Sequence, residues 1–488
     1  MPKHAISAGA ALVLLTGPAL ADLSAQDVWA DWQEVAASFG GKLTAASEAY
    51  SGGVLTLDGI AITVEMEGGN TQASYGSVTL TERGDGTIGF AIPAEQTFTS
   101  TATIAGETST QTINAQTEGF EGVIREDGAT RIYDISAGTV TYSVTDVSGG
   151  EADAPVVMEM VLSDLDTTYT STPDGETLAI GQTLGASGVT MDLSSTGADA
   201  FQMTYALTDL ASLAEGTVDL AAPAGPVTLA TMGLLFSGDM THKGSTLGIT
   251  ATSEDGPVVI NGTSGGGRIA FDISEDTLGY TLSSMDAEMA LQLAAFPLPI
   301  NLSMSEVTTG FALPLGVSDE PKPYALTVAY RDIAIDDALW GLFDPTGQLP
   351  RDPATILVDL SGTALMTKDI FGDPAALEDG GAPGELKTMD LTQLRIALAG
   401  AELLGSGAVS FPNPGPVPMP VGNVTLSLNG GLGLLDKLVA LGFVPAEQAA
   451  FVKGMAGVVA KPVGEDMLES EIVFTEGGGI TANGLPLQ

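Results

Sequence analysis

The residues best suited to chemistry lie close together in one segment, Leu339 to Pro353, which reads LWGLFDPTGQLPRDP. Two carboxylates, Asp344 and Asp352, stand near Arg351 along the chain. A carboxylate can act as a general acid or base, and an arginine can hold a carboxylate or a phosphate group. The segment is therefore the first candidate for a reactive site.

The elements predicted around this segment favour a structural role instead. Asp336 is placed to cap a short helical turn that Asp344 ends, because a residue before proline disfavours helix. Two further prolines force an extended path into a strand at Ile356–Leu360. Arg351 is predicted to pair with Asp344 or Asp352. We predict a rigid structural clamp made of Trp340, Phe343, Asp344, Arg351 and Asp352.

Two short motifs match the patterns of known sites but stand in strand-like sequence. Ser264 lies in GTSGG, which fits the G-x-S-x-G pattern of hydrolases, and GDGTIG at residues 84–89 fits a dinucleotide-binding pattern. Both patterns need a helix next to the motif, whereas strand-like runs follow here, so we predict turns. His242 lies between Thr241 and Lys243, which favours an exposed turn.

The chain contains no cysteine, which leaves oxygen ligands and hence calcium at most. The ligand spacing of known calcium motifs is absent. We expect no metal, no cofactor and no catalytic residue.

The formal charge is −45, with 61 acidic against 16 basic residues. Such a field repels phosphate backbones and anionic lipid surfaces, so nucleic acid is not an expected partner. The acidic residues are dispersed, which is typical of a surface that stays soluble under strong screening.

Residues 1–21 predict a secretory signal. Lys3 and His4 precede an apolar run that is too short to span a membrane, and Ala19 and Ala21 form an A-x-A cleavage site. We predict cleavage between Ala21 and Asp22, a periplasmic location and no transmembrane segment afterwards.

The next region, residues 22–49, predicts an amphipathic helix. Val28, Trp32 and Val35 recur at helical spacing, Ser24 is placed as the N-cap, and Gly40 is placed to end the helix. Its tryptophans are predicted to be core anchors.

From residue 50 to 330 the apolar period changes to two, and Gly-Asp, Asp-Gly and Asn-Gly pairs separate the runs. The predicted fold class is mainly β, a long antiparallel sheet array that is curled or folded on itself. Residues 331–488 predict a further β region that carries the Trp/Pro loop and a helical hairpin near 431–461.

A sheet with one apolar face must cover that face with protein or with a ligand. Methionines suit apolar surfaces that accept variable shapes. The leading hypothesis is a non-enzymatic envelope protein whose apolar seam binds a lipid or acyl chain. An interaction module without a cavity, which binds an envelope protein, and a hydrolase of envelope polymers remain alternatives. The predicted seam comprises Met203, Met232, Met240, Met285, Met289 and Met304.

Several segments in order resemble one family of exported alphaproteobacterial proteins, catalogued as domain of unknown function 2125. They are DVWADWQ, ERGDGTIGFAIP, LWGLFDPTGQLPRDPATILVDLSG, GLLDKLVALGFVPAEQ and ITANGLPL. The resemblance implies no activity, cofactor or catalytic residue. The β-rich plan with terminal helices is also similar to AsmA-like envelope proteins, which are associated with lipid movement; their anchor helix is not expected here, because the N-terminal signal is predicted to be cleaved.

Overall fold

The computed structural model describes residues 23–487 except for eleven short gaps. The predicted signal and its cleavage site lie outside the described residues, as does Met232. The gaps are residues 39, 67–68, 105–106, 149–155, 197–199, 220–234, 254–255, 275–276, 297, 370–381 and 413–418.

The chain is mainly β and antiparallel, with one N-terminal and two C-terminal helices, which confirms the predicted fold class. The helices are α1 Ala25–Ser38, α2 Asp337–Phe343, α3 Gly431–Ala440 and α4 Ala446–Val459. The strands of the N-terminal half are β1 Gly41–Ser51, β2 Val54–Met66, β3 Gly69–Ser74, β4 Ser77–Glu82, β5 Ile88–Ala91, β6 Glu95–Ile104, β7 Glu107–Glu118, β8 Glu121–Asp127, β9 Thr130–Ser148, β10 Val156–Asp174, β11 Thr177–Ser195 and β12 Phe201–Asp219. Those of the C-terminal half are β13 Leu235–His242, β14 Gly244–Ser253, β15 Gly256–Ser264, β16 Gly266–Ile273, β17 Thr277–Leu293, β18 Ile300–Pro314, β19 Lys322–Ile335, β20 Ala354–Met366, β21 Gly384–Leu398, β22 Ala401–Ser410, β23 Val421–Asn429, β24 Lys461–Gly464, β25 Met467–Phe474, β26 Ile480–Ala482 and β27 Leu485–Pro486.

The described strands form one continuous antiparallel sheet in which many, but not all, neighbours are consecutive in the chain; β2 also pairs with β4, β3 with β6, β5 with β8 and β7 with β9. From β9 to β12 each strand pairs with the next over almost its whole length. β13 and β14 lie end to end against β12, and β15 and β16 lie end to end against β17. The meander continues from β17 through β23, and β25 then pairs with β23.

The compact core of the sheet lies under α1. Ser24 caps this helix as predicted, since its Oγ accepts from Asp27 N at 3.1 Å, and Gly40 follows the helix with φ +70°. Val28 and Trp29 pack on Leu57 and its neighbours in β2, β4, β5 and β8. The two tryptophans also bind sheet residues, because Trp29 Nε1 donates to Glu48 Oε1 and Trp32 Nε1 to Tyr133 OH, each at 3.1 Å.

Two predicted boundaries differ from the structure. Residues 41–49 do not extend the helical region, because β1 begins at Gly41 and pairs with β2 along its length. The β1 sequence, GKLTAASEAYS, contains few large apolar residues, so it lacks the alternation of apolar and polar residues that would predict a strand. The sheet is likewise continuous across residue 330, which lies inside β19.

A row of left-handed residues crosses the sheet. We call it the bulge row, and it consists of Gly59, Asp164, Asp209, Asp286 and Asp332, which have φ between 48° and 60° in β2, β10, β12, β17 and β19. The strand register places these residues at nearly the same level of the sheet. Two breaks between strands lie at this level as well: β13 and β14 are separated at Lys243, and β15 and β16 are separated at Gly265.

Neighbouring strands hold these aspartates by side-chain contacts. Ser187 Oγ donates to Asp164 Oδ2 at 2.7 Å, and Ser305 Oγ donates to Asp332 Oδ2 at 2.6 Å. Lys243 Nζ lies 3.6 Å from Asp209 Oδ2. Aspartate tolerates the left-handed conformation better than most residues because its short polar side chain bonds locally.

The bulge row shifts the side-chain alternation by one residue. In β2, Leu57 and Ile60 are three positions apart and would face opposite sides of a regular strand, yet both belong to the core under α1. A bulge of this kind re-aims the side chains that follow it. The same spacing of apolar residues recurs at Leu162 and Leu165 and at Leu207 and Leu210, so one face stays apolar along the whole strand.

Candidate functional site: the uncharged face

One side of strands β10–β18 carries aligned apolar side chains, and we call it the uncharged face. The register joins Met160, Met191, Tyr205, Leu247, Met289 and Leu302 in one row across the sheet on one side of the bulge row. On the other side of the bulge row it joins Leu184, Met240, Ile269 and Leu282. Apart from the bulge-row aspartates, alternation places no charged residue on this side among the described residues of these strands.

The opposite side of the same strands is acidic and carries their ion pairs. Arg331 Nε lies 2.7 Å from Glu306 Oε2, and Arg268 binds Asp239. A chain with a formal charge of −45 thus keeps one broad side of the sheet free of charged residues apart from those of the bulge row. Acidic residues that served only to keep the protein soluble would not need to be confined to one side of the sheet. The uncharged face therefore needs a separate explanation.

Several large side chains on the uncharged face remain partly exposed, whereas Leu178, Leu207 and Val218 on the same face are buried. Leu282 and Met289 are each 38 % exposed and Leu313 is 43 % exposed, whereas Leu57 under α1 is fully buried. The buried apolar cluster of the described residues involves α1 and strands of the N-terminal sheet, and none of β10–β18 contributes to it. A pocket of about 410 Å³ near Met289 and Leu302 is lined mainly from the opposite side of the sheet, by Glu288, Asn301 and Ser303 among others, and so is not part of the uncharged face.

The predicted methionine seam is mostly on this face. Register and alternation place Met203, Met240, Met289 and Met304 there. Met285 was placed wrongly, because it pairs with Glu306 on the acidic side. The shift of alternation at Asp286 places Met285 and Met289 on opposite sides of the sheet, although they are four positions apart.

The predicted clamp forms only in part. Asp336 accepts from Leu339 N at 2.7 Å and begins α2, which Asp344 ends. Asp344 is 1 % exposed, and its Oδ2 accepts from Leu349 N at 2.6 Å. Pro350 lies against the β21–β22 turn, where a Cβ on Gly400 would come within 3.0 Å of the proline ring.

Four members of the clamp behave differently from the prediction. Phe343 is 50 % exposed, so it is not an anchor, and Trp340 is half-buried with no hydrogen-bond partner for its Nε1. Leu339 is the buried apolar residue of α2. Arg351 does not pair with Asp344 or Asp352; its Nη1 lies 2.5 Å from Asp337 Oδ1. Asp352 is exposed.

Arg351 does not pair with Asp344 because backbone N–H groups already donate hydrogen bonds to the Asp344 carboxylate. Its carboxylate lies in a bend where amide groups converge, so no cation is required to balance it. The Arg351 and Asp337 side chains are 48 % and 88 % exposed, and an ion pair with so much solvent contributes little to stability. The segment is thus a backbone-capping bend rather than an ion-paired clamp.

This bend makes a pH-dependent contribution to stability. The pKa of Asp344 lies below its usual range, chiefly because its carboxylate accepts from Leu349 N, and burial only partly opposes this effect. The contribution is therefore present above about pH 4 and is lost as the pH falls through the lowered pKa. We expect Asp344→Asn to melt a few degrees lower than the native chain at pH 7, and the gap to close in acid. Melting curves at pH 7, 4 and 2.5 measure this, with Asp352→Asn as the exposed control. A gap that widens in acid would contradict the assignment.

The short motifs do not assemble a reactive centre. Ser264 ends β15, and its Oγ lies 2.7 Å from Ser245 Oγ rather than near an imidazole. The expected exposed turn at His242 is wrong, since His242 ends β13 half-buried and its Nδ1 is buried without a partner. The turn predicted at Ser264 does not reverse the chain into a hairpin, because β16 continues the line of β15 against β17. Gly84 and Gly86 lie in a turn before β5, as predicted.

The fold and face together define a class of protein: a continuous antiparallel meander with one acidic and one uncharged side. Comparisons with protein-family models, with curated proteins and with solved structures found no match to this chain. The resemblance to the exported alphaproteobacterial family therefore stays a prediction. Within the described ranges, no helix has both the length and the apolar character needed to cross a membrane.

Proposed function

We propose that this protein is a soluble, exported, non-enzymatic envelope protein that binds the acyl chains of a lipid on its uncharged face. The observation that carries the proposal is a sheet side that has no charged residue outside the bulge row and on which Leu282, Met289 and Leu313 stay partly exposed, in a strongly acidic chain. The sequence of residues 1–21 supports export.

The size of the face fits such a ligand. Seven strand positions from β10 to β18, spaced about 4.8 Å apart, give a width of roughly 30 Å. Burial of one methylene contributes about 0.8 kcal/mol, so half of a sixteen-carbon chain contributes about 6 kcal/mol before the cost of binding is subtracted. Weak, reversible binding thus needs only part of the face.

The test compares two pairs of exposed apolar residues on opposite sides of the sheet. Met289→Gln with Leu282→Gln changes the uncharged face, where each side chain is 38 % exposed. Met285→Gln with Leu213→Gln changes the acidic side, where the exposures are 45 % and 48 %. The first pair is expected to weaken acyl-chain binding about tenfold, because two apolar contacts are lost, whereas the second is expected to leave it unchanged.

Binding is measured with a fluorescent fatty acid and by extracting lipid from protein purified after export. Native mass spectrometry of the same protein counts bound lipid. If the native chain carries no lipid and does not bind the fluorescent fatty acid, the proposal is wrong. Equal losses for the two variant pairs would show that binding is not on the uncharged face.

A further inference from the structure

A pocket of about 420 Å³ lies beside helix α1, where the sheet curls around it. The pocket is lined by Trp32 and Val35 from α1, by Leu43 from β1, and by Tyr133 and Tyr169 from β9 and β10. In the pairing order of the sheet, β2, β4, β5 and β8 lie between β1 and β9. The two ends of this part of the sheet therefore meet at α1 and enclose the pocket with it.

Hydrogen bonds and ring contacts hold the walls of the pocket in place. Gln33 Nε2 donates to Leu43 O at 3.3 Å on the β1 side of α1. Trp32 Nε1 donates to Tyr133 OH at 3.1 Å on the β9 side. The rings of Tyr133 and Tyr169 pack together with their centroids 5.6 Å apart. The pocket thus lies between elements that are fixed to one another.

The pocket opens onto the uncharged face. Tyr169 and Ser171 of β10 line it, and β10 is also the first strand of that face. The register pairs Ser171 with Ile180 of β11, and the same row continues through Gly216 to Phe236 and Ile273. Four strand spacings, about 19 Å, separate Ser171 from Ile273 along this row. An extended apolar chain that leaves the pocket over β10 therefore meets the apolar side chains of the uncharged face.

The charged groups beside the pocket already bind one another. Asp31 at the rim contacts Arg131, and Arg131 Nη2 lies 2.6 Å from Glu126 Oε1. Burial raises the pKa of Tyr133 and that of Tyr169, so both phenols are neutral near pH 7. A charged headgroup in the pocket would lose its hydration without gaining a free charge of opposite sign, which is unfavourable. The pocket therefore suits the apolar end of a ligand.

We propose that the pocket takes the methyl end of an acyl chain, while the rest of the chain lies across the uncharged face toward Ile273. The inference rests on the proposed acyl-chain binding and adds to it the direction in which the chain lies. Helix α1 closes the pocket, so the chain end stops against Trp32 and Val35. The headgroup then lies at the other end of the chain, away from α1.

The first experiment fills the pocket. Ser171→Phe places a ring at its opening, and the matched control Thr170→Phe places the same ring on the acidic side, over Gly181 in the neighbouring strand. Binding of hexadecanoic acid is measured by displacement of a fluorescent fatty acid, and melting curves show whether each variant is folded. Ser171→Phe is expected to weaken binding at least about tenfold, because several methylenes lose their apolar surroundings. Thr170→Phe is expected to bind like the native chain.

The second experiment leaves the pocket intact and uses Trp32 as the reporter. The chain has three tryptophans, and Trp340→Phe leaves Trp29 and Trp32 under α1 as the fluorescent residues. Two positional isomers of bromohexadecanoic acid are compared, with the bromine at the methyl end or on the carbon next to the carboxyl group. Bromine quenches tryptophan only at short range, so the first isomer is expected to quench strongly and the second weakly.

The outcomes separate this inference from the proposed function. If the native chain binds no fatty acid, both are wrong. If Met289→Gln with Leu282→Gln weakens binding but Ser171→Phe does not, the uncharged face binds the chain and the assignment of the pocket is wrong. Stronger quenching by the isomer with bromine next to the carboxyl group would place the headgroup beside Arg131 and overturn the proposed direction.

Discussion

Replacing Asp332 with valine is expected to lower the free energy of unfolding by about 2–3 kcal/mol. Asp332 has φ 53° within β19, and its carboxylate accepts from Ser305 Oγ. A β-branched residue is strongly disfavoured in the left-handed region, and valine also leaves that hydroxyl without its partner. The loss is large for an exposed position, because it arises from the backbone rather than from burial.

A short series at the same position separates backbone conformation from charge. Asp332→Asn is expected to unfold close to the native chain, because asparagine also tolerates positive φ and can still accept from Ser305. Asp332→Gly recovers the conformation without the hydrogen bond and is expected to fall between asparagine and valine. Thr327→Val, in the extended part of the same strand, is the control and is expected to change little. Urea unfolding followed by circular dichroism measures all four; equal stability of the valine and glycine variants would contradict the conformational explanation.

The bulge row also matters for the uncharged face. A one-residue slip in a regular strand moves every following side chain to the other side of the sheet. Without the row, Leu162 and Leu165 of β10 would face opposite sides, and each long strand would be apolar on one side for half its length. The row thus makes a single broad apolar side from strands of up to 19 residues.

The period-two pattern and the turn pairs predicted the antiparallel sheet, because alternation and turn chemistry are local properties of the chain. The caps of α1 and α2 were predicted for the same reason, since Ser24 and Asp336 bond to amides within three residues. Local signals, however, do not specify which distant residues meet. Arg351 paired with Asp337 rather than Asp344, because backbone amides folded around Asp344 had already satisfied its carboxylate.

The bulge row did have a signal in the sequence. The runs LSDL at 162–165, LTDL at 207–210 and YRDI at 330–333 each place apolar residues three apart around an aspartate, where strict alternation requires two or four. This shift was not predicted, and the methionine seam was predicted from the clustering of methionines along the chain, which does not distinguish the two sides of a strand. The bulges become recognisable as one row only when the strand register places them at the same level of the sheet.

Leu57→Ala is expected to lower the free energy of unfolding by about 2–5 kcal/mol, whereas Leu282→Ala is expected to cost less than about 1 kcal/mol. Both residues are leucines on the same side of the sheet. Leu57 is fully buried under α1, and its truncation leaves a cavity, while Leu282 is 38 % exposed and loses contact mainly with neighbours on its own face. The comparison therefore measures whether anything covers the uncharged face.

Urea unfolding of the two variants, with and without a saturating fatty acid, makes the comparison decisive. Ligand that binds the uncharged face stabilises the native chain by mass action. It is expected to stabilise Leu57→Ala by the same amount and Leu282→Ala by less, because the second variant has lost part of the binding surface. If Leu282→Ala costs as much as Leu57→Ala without ligand, the face is already covered by protein. The chain would then be the interaction module without a ligand cavity, and acyl-chain binding on the sheet would have to be abandoned.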